Sequence, residues 1–472
     1  MQRCILLHSN DLHGHVDALA RIATLVKQIR TENPAIPILY LDAGDIEESV
    51  NRISNLTRGI GMHRLLSVAG CQAATIGNGG VLRYGFEVLA DYHAIARYPL
   101  LMANIRQSDG SLPQGVQSTA ILQAGTVKLG LIGITDNLFH AYTDRFGMFE
   151  LPTLPLVQEL ASQLRKLGAD TVILLSHMGL TRDRQLAVDL QEEVPLIIGA
   201  HSHDLLLDGE RVGKVMVAQA GSFGHYLGQL DICWDGEQLH VERASVRAVS
   251  SEIVPDPAIL AEIEKIEEEI APYLNTIVGE LAEPLEISSD RECKAANILA
   301  DALRARMRAD VGLAVAACAG PLKSGSLRRE TLLEAFHLAR KPCVTSMTGA
   351  QLRLVITRGQ DRAFAATGSR ALRCDKRGLL HLSGASIRSG QIFVGEHPLE
   401  EERIYRVAGG DQEISHYGGY VEKAWNLSIS YETATTLSDA MEAYLAESGP
   451  LRVSVGRLGS QSQGKTALCP FD

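Results

Sequence analysis

The sequence predicts an α/β protein built from two domains, and three observations support this prediction. Short apolar runs alternate with helical stretches through the first 250 residues, which is typical of a layered α/β domain. Near Pro255 a charged, amphipathic stretch leads into a second α/β segment. The length of 472 residues suits two or three domains. We therefore expect domains at 1–250 and 276–458, a linker helix within 251–275 and a flexible tail at 459–472.

Six short apolar runs predict the strands of the first domain. The runs are nearly continuous, as in strands that are buried on both faces. They cover 4–7, 38–41, 73–76, 127–134, 171–175 and 196–198. Apolar residues at helical spacing predict helices between them, at 18–29, 61–69 and 157–167.

The linker and the second domain are predicted from the same patterns. Pro257 opens an amphipathic stretch at 258–274, which indicates a connecting helix with Pro272 near its end. In the second domain we expect a strand at 311–316 and helices at 295–307, 329–336 and 438–446. The Gly, Ser and Gln residues of 459–464 indicate a frayed C-terminal tail.

Composition excludes several classes of function. The chain has 45 basic and 56 acidic residues and a formal net charge of −11, so we expect neither a nucleic acid polymer nor a membrane as partner. Eight widely spaced cysteines with no CxxC pair argue against a zinc ribbon and a disulfide framework. The N-terminal apolar run is too short for a signal peptide, so we expect a cytoplasmic protein with free thiols. The oligomeric state is left open.

Metal-competent side chains follow five of the predicted strands. In chain order they are Asp11 with His13, Asp45, Asn78, His177, and His201 with His203. Loops beyond the carboxyl ends of strands converge on one crevice in an open α/β sheet. Imidazole, carboxylate and amide ligands without thiolate suit Zn, Mn, Fe or Ni and disfavour a structural zinc. Two metals about 3.5–4 Å apart, bridged by Asp45, would polarise a phosphoryl group and generate a hydroxide.

The alternative is that these residues are ordinary turn residues. A single His, Asn or Gly-Asp after a strand is more often a hydrogen-bonded loop residue than a ligand. Five of the 15 histidines, however, lie in strand-end motifs, namely His13, His15, His177, His201 and His203. That joint pattern favours metal binding. His15, His63 and His93 have no assigned partner and keep the ordinary interpretation.

The ordered motifs resemble those of the calcineurin-like metallophosphoesterases. They read Asp11-Leu12-His13-Gly14, Gly44-Asp45, Gly77-Asn78, Ser176-His177 and Gly199-Ala200-His201-Ser202-His203. Within that group the chain resembles the two-domain 5′-nucleotidases, a family that includes UDP-sugar hydrolases and 2′,3′-cyclic nucleotide phosphodiesterases. The resemblance implies a four-layer α-β-β-α sandwich domain and a C-terminal α/β substrate domain.

The resemblance also implies a cofactor and a reaction. One divalent ion would be held by Asp11, His13, Asp45 and His203, and a second by Asp45, Asn78, His177 and His201. The metal could be Mn, Zn, Fe, Ni or Co. A metal-bridging hydroxide would attack a small-molecule phosphate ester, either a nucleotide or a nucleotide-like compound.

The third motif departs from the family pattern. Relatives carry Gly-Asn-His followed by an acid, and that His stabilises or protonates the reacting phosphoryl group. Here Gly79 and Gly80 follow Asn78, so no side chain at 79 can donate a proton. His225 is the sequence-based candidate for the missing group, and its alternative interpretation is an ordinary strand or turn residue. The metal centre could also act unaided on a substrate with a good leaving group.

The second domain departs as well. In the family, an Asn-x-Gly-x-Ile/Leu-Arg segment holds the substrate ribose or phosphate, and it corresponds to 318–323, with Cys318 for Asn and Lys323 for Arg. The resemblance implies that Lys323, Arg340, Tyr405 and Asp411 bind substrate. The family Pro-Phe-x-Asn segment corresponds to 337–340 and ends in Arg340. Tyr405 lies six residues before Asp411, matching the family spacing for a base-stacking ring, although a half-buried strand tyrosine explains it equally well.

Two functional hypotheses follow from these departures. The first is a phosphoesterase that acts on nucleotide-like esters. The second is a pseudoenzyme that keeps the metals, has lost hydrolysis and serves as a nucleotide-binding or sensing protein. Intact ligand motifs at five strand ends favour the enzyme.

Overall fold

The computed structural model describes residues 1–49, 51–138, 140–338, 340–369, 374–448 and 450–459. The chain forms two compact units, 1–272 and 273–472. Apart from Gly459, the tail predicted at 459–472 lies outside the described residues.

The first unit alternates strands and helices along most of its length. Its strands are β1 Gln2–Ser9, β2 Ile38–Asp42, β3 Ala73–Thr75, β4 Leu100–Leu101, β5 Ile105–Arg106, β6 Thr119–Ala124, β7 Val127–Thr135, β8 Phe149–Glu150, β9 Thr171–His177, β10 Leu196–Gly199, β11 Glu210–Val212, β12 Val215–Ala218, β13 Tyr226–Trp234 and β14 Leu239–Ala248. Its helices are α1 Val16–Glu32, α2 Arg52–Leu56, α3 Ile60–Val68, α4 Asn78–Tyr84, α5 Val88–Ile95, α6 Ala141–Phe146, α7 Thr153–Lys166, α8 Leu180–Asp189 and α9 Pro257–Leu274, whose last two residues belong to the second unit.

Two six-stranded sheets pack face to face in the first unit. Their strand orders are β14-β13-β1-β2-β3-β4 and β11-β12-β10-β9-β7-β6. Leu6 and Leu41 of one sheet and Leu129 and Leu175 of the other belong to a single buried core. The outer face of the second sheet packs against α7 and α8 in a separate core. Helix α1 connects the parallel neighbours β1 and β2, so it crosses the outer face of the first sheet.

The second unit is a smaller α/β structure. Its strands are β15 Ile277–Leu281, β16 Val311–Val315, β17 Gly325–Arg328, β18 Pro342–Thr348, β19 Leu380–Ser383, β20 Ala385–Arg388, β21 Gln391–Val394, β22 His397–Pro398, β23 Ile404–Gly410 and β24 Ile429–Tyr431. Its helices are α10 Lys294–Arg306, α11 Arg329–Ala335, α12 Gly349–Gln360, α13 Arg362–Ala365 and α14 Leu437–Ser448. The main sheet has the order β19-β16-β23-β18-β24. A capping box of Thr348 and Gln351 starts α12, which satisfies backbone N–H groups of its first turn.

The structure confirms the α/β class and the predicted elements. Each apolar run of the first domain lies in a strand, and the stretches at 18–29, 61–69 and 157–167 lie largely within α1, α3 and α7. The predicted elements of the second domain correspond to α10, β16, α11 and α14. Among the described residues, none of the helices combines the length and the apolar character that crossing a membrane requires.

Candidate metal centre

The predicted ligands gather at the carboxyl ends of five strands in the first unit. Strands β1, β2 and β3 are parallel neighbours in one sheet, and β9 and β10 are parallel neighbours in the other. Because these strands run parallel within each sheet, the loops that follow them meet at the same edge. Two groups of possible ligands result, in each of which the ligand atoms lie within 4.8 Å of one another. They consist of Asp11, His13 and His203, and of Asp11, Asp45 and His177.

The distances within these groups are short. The Nε2 atoms of His13 and His203 are 3.0 Å apart, and Nε2 of His203 lies 3.4 Å from Oδ1 of Asp11. Nε2 of His177 lies 3.4 Å from Oδ2 of Asp45 and 4.0 Å from Oδ1 of Asp11. The carboxylate common to both groups is Asp11, whereas the sequence analysis assigned the bridging role to Asp45.

The backbone at these positions is strained. Asp11, His13, Asp45, His201 and His203 all have left-handed φ angles, between 46° and 76°. They account for five of the 12 non-glycine residues of this kind in the described part of the chain. Such conformations cost of order 1–3 kcal/mol each and persist where surrounding structure imposes them, often at functional sites. The five residues with strained backbone are therefore all predicted metal ligands.

Neighbouring groups hold the ligands in place. The Asn10 side-chain amide donates to Oδ2 of Asp11 at 2.8 Å and to the Gly221 carbonyl at 2.6 Å. Nδ1 of His177 donates to the Ala43 carbonyl at 2.8 Å, so Nε2 is the ring nitrogen that remains to bind a metal. A hydrogen bond of this kind selects the tautomer of a metal-binding imidazole and fixes its ring orientation.

The residues fit divalent metal ions. Nε2 of His177 and Oδ1 of Asn78 are buried and make no hydrogen bond among the described residues. An unsatisfied buried polar atom is costly, and a metal ion would satisfy both atoms. The donor set of imidazole, carboxylate and amide oxygen suits borderline divalent metals.

Charge interactions within the centre are strong. Burial favours the neutral form of Asp45, but the facing His177, together with His13 and the N–H of Gly79, holds the pKa of Asp45 below its usual value. The Gly79 N–H donates to Oδ1 of Asp45 at 2.5 Å. Asp45 is therefore kept as a carboxylate, the form that binds a metal.

His201 belongs to neither of the two close groups of possible ligands. Its ring lies 5.1 Å from that of His177, and its Nε2 is 3.7 Å from Oδ2 of Asp136. Its backbone N–H donates to both carboxylate oxygens of Asp11, at 3.2 and 3.0 Å. Asp136 is a site neighbour that sequence reasoning missed, although it directly follows the predicted strand β7.

His225 is exposed, and Phe223 lies between it and the centre. The Phe223 ring is 5.6 Å from the rings of both His13 and His203, and 5.9 Å from that of His225. The Phe223 N–H also donates to the backbone carbonyl of Asp11 at 2.8 Å. Within the described part of the chain, no contact joins His225 to a predicted ligand. The sequence analysis overlooked Phe223, whose left-handed φ of 59° has no sequence signal.

The two glycines of the altered motif face other buried groups. A Cβ atom at Gly79 would lie 2.8 Å from Nη1 of Arg83 and 3.0 Å from Oδ1 of Asp45. A Cβ atom at Gly80 would lie 2.8 Å from the Tyr92 hydroxyl and 3.0 Å from the carboxyl carbon of Glu47. The space that the family His-acid pair would use is therefore filled by side chains of this chain.

The substrate residues predicted in the second unit are only partly brought together. Buried Glu413 interacts electrostatically with half-buried Arg340 and with buried Asp411. Burial raises the pKa of Glu413, the positive charge of Arg340 lowers it, and the negative charge of Asp411 raises it. Burial of Cys318 and the nearby Glu413 carboxylate raise the pKa of the Cys318 thiol well above its usual value. Nε and Nη2 of Arg340 and Oε2 of Glu413 are buried without a hydrogen bond in the described region. Glu413 is a member of this cluster that the sequence analysis missed.

The other two predicted substrate residues are placed differently. Lys323 is exposed. Tyr405 is 2% exposed in the core, and its hydroxyl accepts a hydrogen bond from the backbone N–H of Glu400 at 3.1 Å. That burial leaves no face of the ring open to a base, in agreement with the alternative interpretation of a strand tyrosine.

Comparison with known proteins identifies the family. Residues 277–422 match the family described as 5′-nucleotidase, C-terminal domain. The uncharacterized metallophosphoesterase YunD of Bacillus subtilis is 28% identical over 358 residues, which cover 74% of this chain and 77% of that protein. These matches show a 5′-nucleotidase C-terminal domain at 277–422 and similarity to a metallophosphoesterase over 74% of the chain. They support a metal-dependent phosphoric ester hydrolase.

Two further 5′-nucleotidase relatives agree with this assignment. A 5′-nucleotidase of Diplobatis ommata is 25% identical over 352 residues, which cover 63% of this chain and 58% of that protein. The fold matches the structure of a putative 5′-nucleotidase from Staphylococcus aureus, solved with alpha-ketoglutarate, with a TM-score of 0.66 and 16% identity. That match covers 96% of this chain and 98% of the other, so the two-domain architecture is shared.

Proposed function

We propose that the chain is a dinuclear phosphoesterase that hydrolyses nucleotide or nucleotide-like phosphate esters. The observation that carries the proposal is that Asp11 lies with His13 and His203 in one possible ligand group and with Asp45 and His177 in another. A 5′-nucleotidase among the relatives supports the nucleotide part of the proposal.

Seven side chains would hold the two ions. One set is Asp11, His13 and His203, and the other is Asp45, Asn78, His177 and His201. When bound, the metals would activate water and stabilise charge on the phosphoryl group, the general chemistry of two-metal sites. Asn10 and the Ala43 carbonyl orient Asp11 and His177 for this task.

The nucleoside part of the substrate would be recognised in the second unit. Arg340 and Glu413 offer buried donors and acceptors, and buried Asp411 lies close enough to Glu413 to raise its pKa. Buried polar groups give specificity because a substrate that leaves them unpaired binds poorly. The Asp411→Asn variant should raise KM and leave kcat nearly unchanged. The exposed Asp290 provides the matched control, Asp290→Asn, which should change neither constant.

A substrate screen tests the proposal. The protein, loaded with Mn²⁺, would be given nucleotides, cyclic nucleotides, nucleotide sugars and simple sugar phosphates. We expect hydrolysis of one of the nucleotide classes with release of orthophosphate. Turnover confined to the sugar phosphates would contradict the nucleotide assignment but not the phosphoesterase assignment.

The second hypothesis is a binding protein without turnover, and Gly79 is the observation that favours it. It predicts saturable, Mn²⁺-dependent nucleotide binding with no product after long incubation. Replacing Gly79 with His alone is a poor test, because the new side chain would collide with Nη1 of Arg83. Direct measurement of product separates the two hypotheses.

Location and partners stay as predictions. Cell fractionation would test the expected cytoplasmic location, and size-exclusion chromatography with light scattering would give the oligomeric state. Titration with a DNA or RNA oligomer should show no binding at physiological salt, since the formal net charge is −11.

A further inference from the structure

A buried ion pair, Arg83 with Glu48, lies beside the metal centre at the position vacated by the altered motif. Arg83 is 8% exposed and Glu48 is 7% exposed. Nη2 of Arg83 lies 2.7 Å from Oε1 of Glu48, and Oε2 of Glu48 lies 3.7 Å from Nδ1 of His13. Glu48 therefore lies between Arg83 and His13, a member of one predicted ligand group.

The other side of the guanidinium faces Gly79. Nη1 of Arg83 and Oδ1 of Asp45 flank the point where a side chain at 79 would begin, at 2.8 and 3.0 Å. Any larger residue at 79 would displace this nitrogen. Gly79 therefore makes the close approach of Arg83 to the centre possible.

Glu48 already balances the charge of Arg83, but one carboxylate contact leaves guanidinium N–H donors that can bind a second anion. A phosphoryl group is such an anion, and an arginine with donors remaining after one carboxylate contact can bind it. We propose, on the basis of the proposed function, that Arg83 contacts the phosphoryl group in place of the missing histidine and stabilises its charge during hydrolysis.

The substitution changes the proton balance of the reaction. Water attacks phosphorus, loses a proton to the solvent and becomes part of orthophosphate. The bond from phosphorus to the leaving oxygen breaks, and the electron pair stays on that oxygen. A guanidinium cannot give up a proton at neutral pH, so the leaving group departs as an anion and is protonated by solvent. Hydrolysis should therefore depend steeply on the acidity of the leaving group.

Three variants test the contact. Arg83→Gln should lower kcat by about 10²-fold or more, with bound metal unchanged, and Arg83→Lys should recover part of the loss. Glu48→Gln should lose less than about 10-fold, because it leaves the cation in place. Arg58, which donates to the Tyr84 carbonyl at 3.1 Å, provides the matched control Arg58→Gln, expected within about threefold of wild type.

A purely structural pair would give a different pattern. Equal losses of kcat in Arg83→Gln and Glu48→Gln, accompanied by loss of bound metal, would overturn the proposal. A rate that does not change along a series of aryl phosphates of graded leaving-group acidity would also overturn it.

A binding measurement keeps this proposal separate from the proposed function. Calorimetric titration of the Mn²⁺-loaded protein with orthophosphate should show affinity at least about 10-fold weaker in Arg83→Gln than in wild type. Equal affinity would overturn the role of Arg83 even if the enzyme is active. If no phosphate ester is hydrolysed by wild type, the proposed function fails, and the phosphate contact of Arg83 is still decided by this titration.

Discussion

Asp183 is a fully buried carboxylate that holds together two strand ends of the metal centre. It accepts a hydrogen bond from the Ser176 hydroxyl, and its other oxygen lies 2.3 Å from the point where a Cβ atom of Gly199 would be. Ser176 precedes the ligand His177, and Gly199 ends β10, just before His201. Replacing Asp183 by Asn keeps the shape of this contact and removes its titration.

The size of the effect follows from the environment of the carboxyl group. Burial raises the pKa of Asp183 from 3.8 to about 7. Between about pH 4 and pH 7 the folded state therefore holds a proton that the unfolded state has lost, so the free energy of unfolding falls as pH rises through this window. At 1.36 kcal/mol per pKa unit, the charged form costs up to about 4 kcal/mol above pH 7.

Urea unfolding with EDTA present measures this cost. The difference in unfolding free energy between Asp183→Asn and wild type should be about 2–4 kcal/mol larger at pH 8 than at pH 5. The control is Asp189→Asn, at an exposed aspartate of the same helix, which should show no such gain. If the difference between Asp183→Asn and wild type is the same at both pH values, the assigned pKa is wrong.

Three further variants examine the site and the fold. Gly77→Ala would place Cβ 2.2 Å from Oδ1 of Asp45, so the metal content found by elemental analysis should fall severely. The control Gly130→Ala in β7 meets only the side chains of Leu164 and Ala169 and should retain the metal. His225→Ala should change kcat/KM by less than about threefold, because Phe223 separates it from the centre; a loss of about 100-fold would restore it as a catalytic candidate. Thr348→Ala removes the capping box of α12 and should lower the free energy of unfolding of its unit by about 1 kcal/mol; an unchanged denaturation midpoint would contradict that estimate.

The strand-end ligands could be predicted because their signal is local. Each of Asp11, Asp45, His177 and His201 follows an apolar run within a few residues, and parallel strand topology then brings the loops together. The pairing of Asp11 with both ligand groups could not be predicted, since it depends on how the two sheets are positioned.

The remaining site features depend on tertiary packing and have little sequence signal. In the motif alone, Gly79 is only a position that lacks the family histidine. The fold shows that the Arg83 side chain fills the space beside this glycine. Tyr405 has the family spacing but is directed into the core, because alternation along β23 decides which face a side chain takes. Glu413 has no motif and becomes notable only through its burial beside Arg340.

The most direct test of the central claim is Asp45→Asn, measured for both metal content and hydrolysis. Asn keeps the size of the side chain and removes the carboxylate that lies 3.4 Å from His177. We expect wild type loaded with Mn²⁺ to bind two ions and release orthophosphate from a nucleotide substrate, and Asp45→Asn to bind fewer ions with turnover reduced by at least about 10³-fold. Turnover by Asp45→Asn equal to that of wild type would contradict the account of a two-metal phosphoesterase.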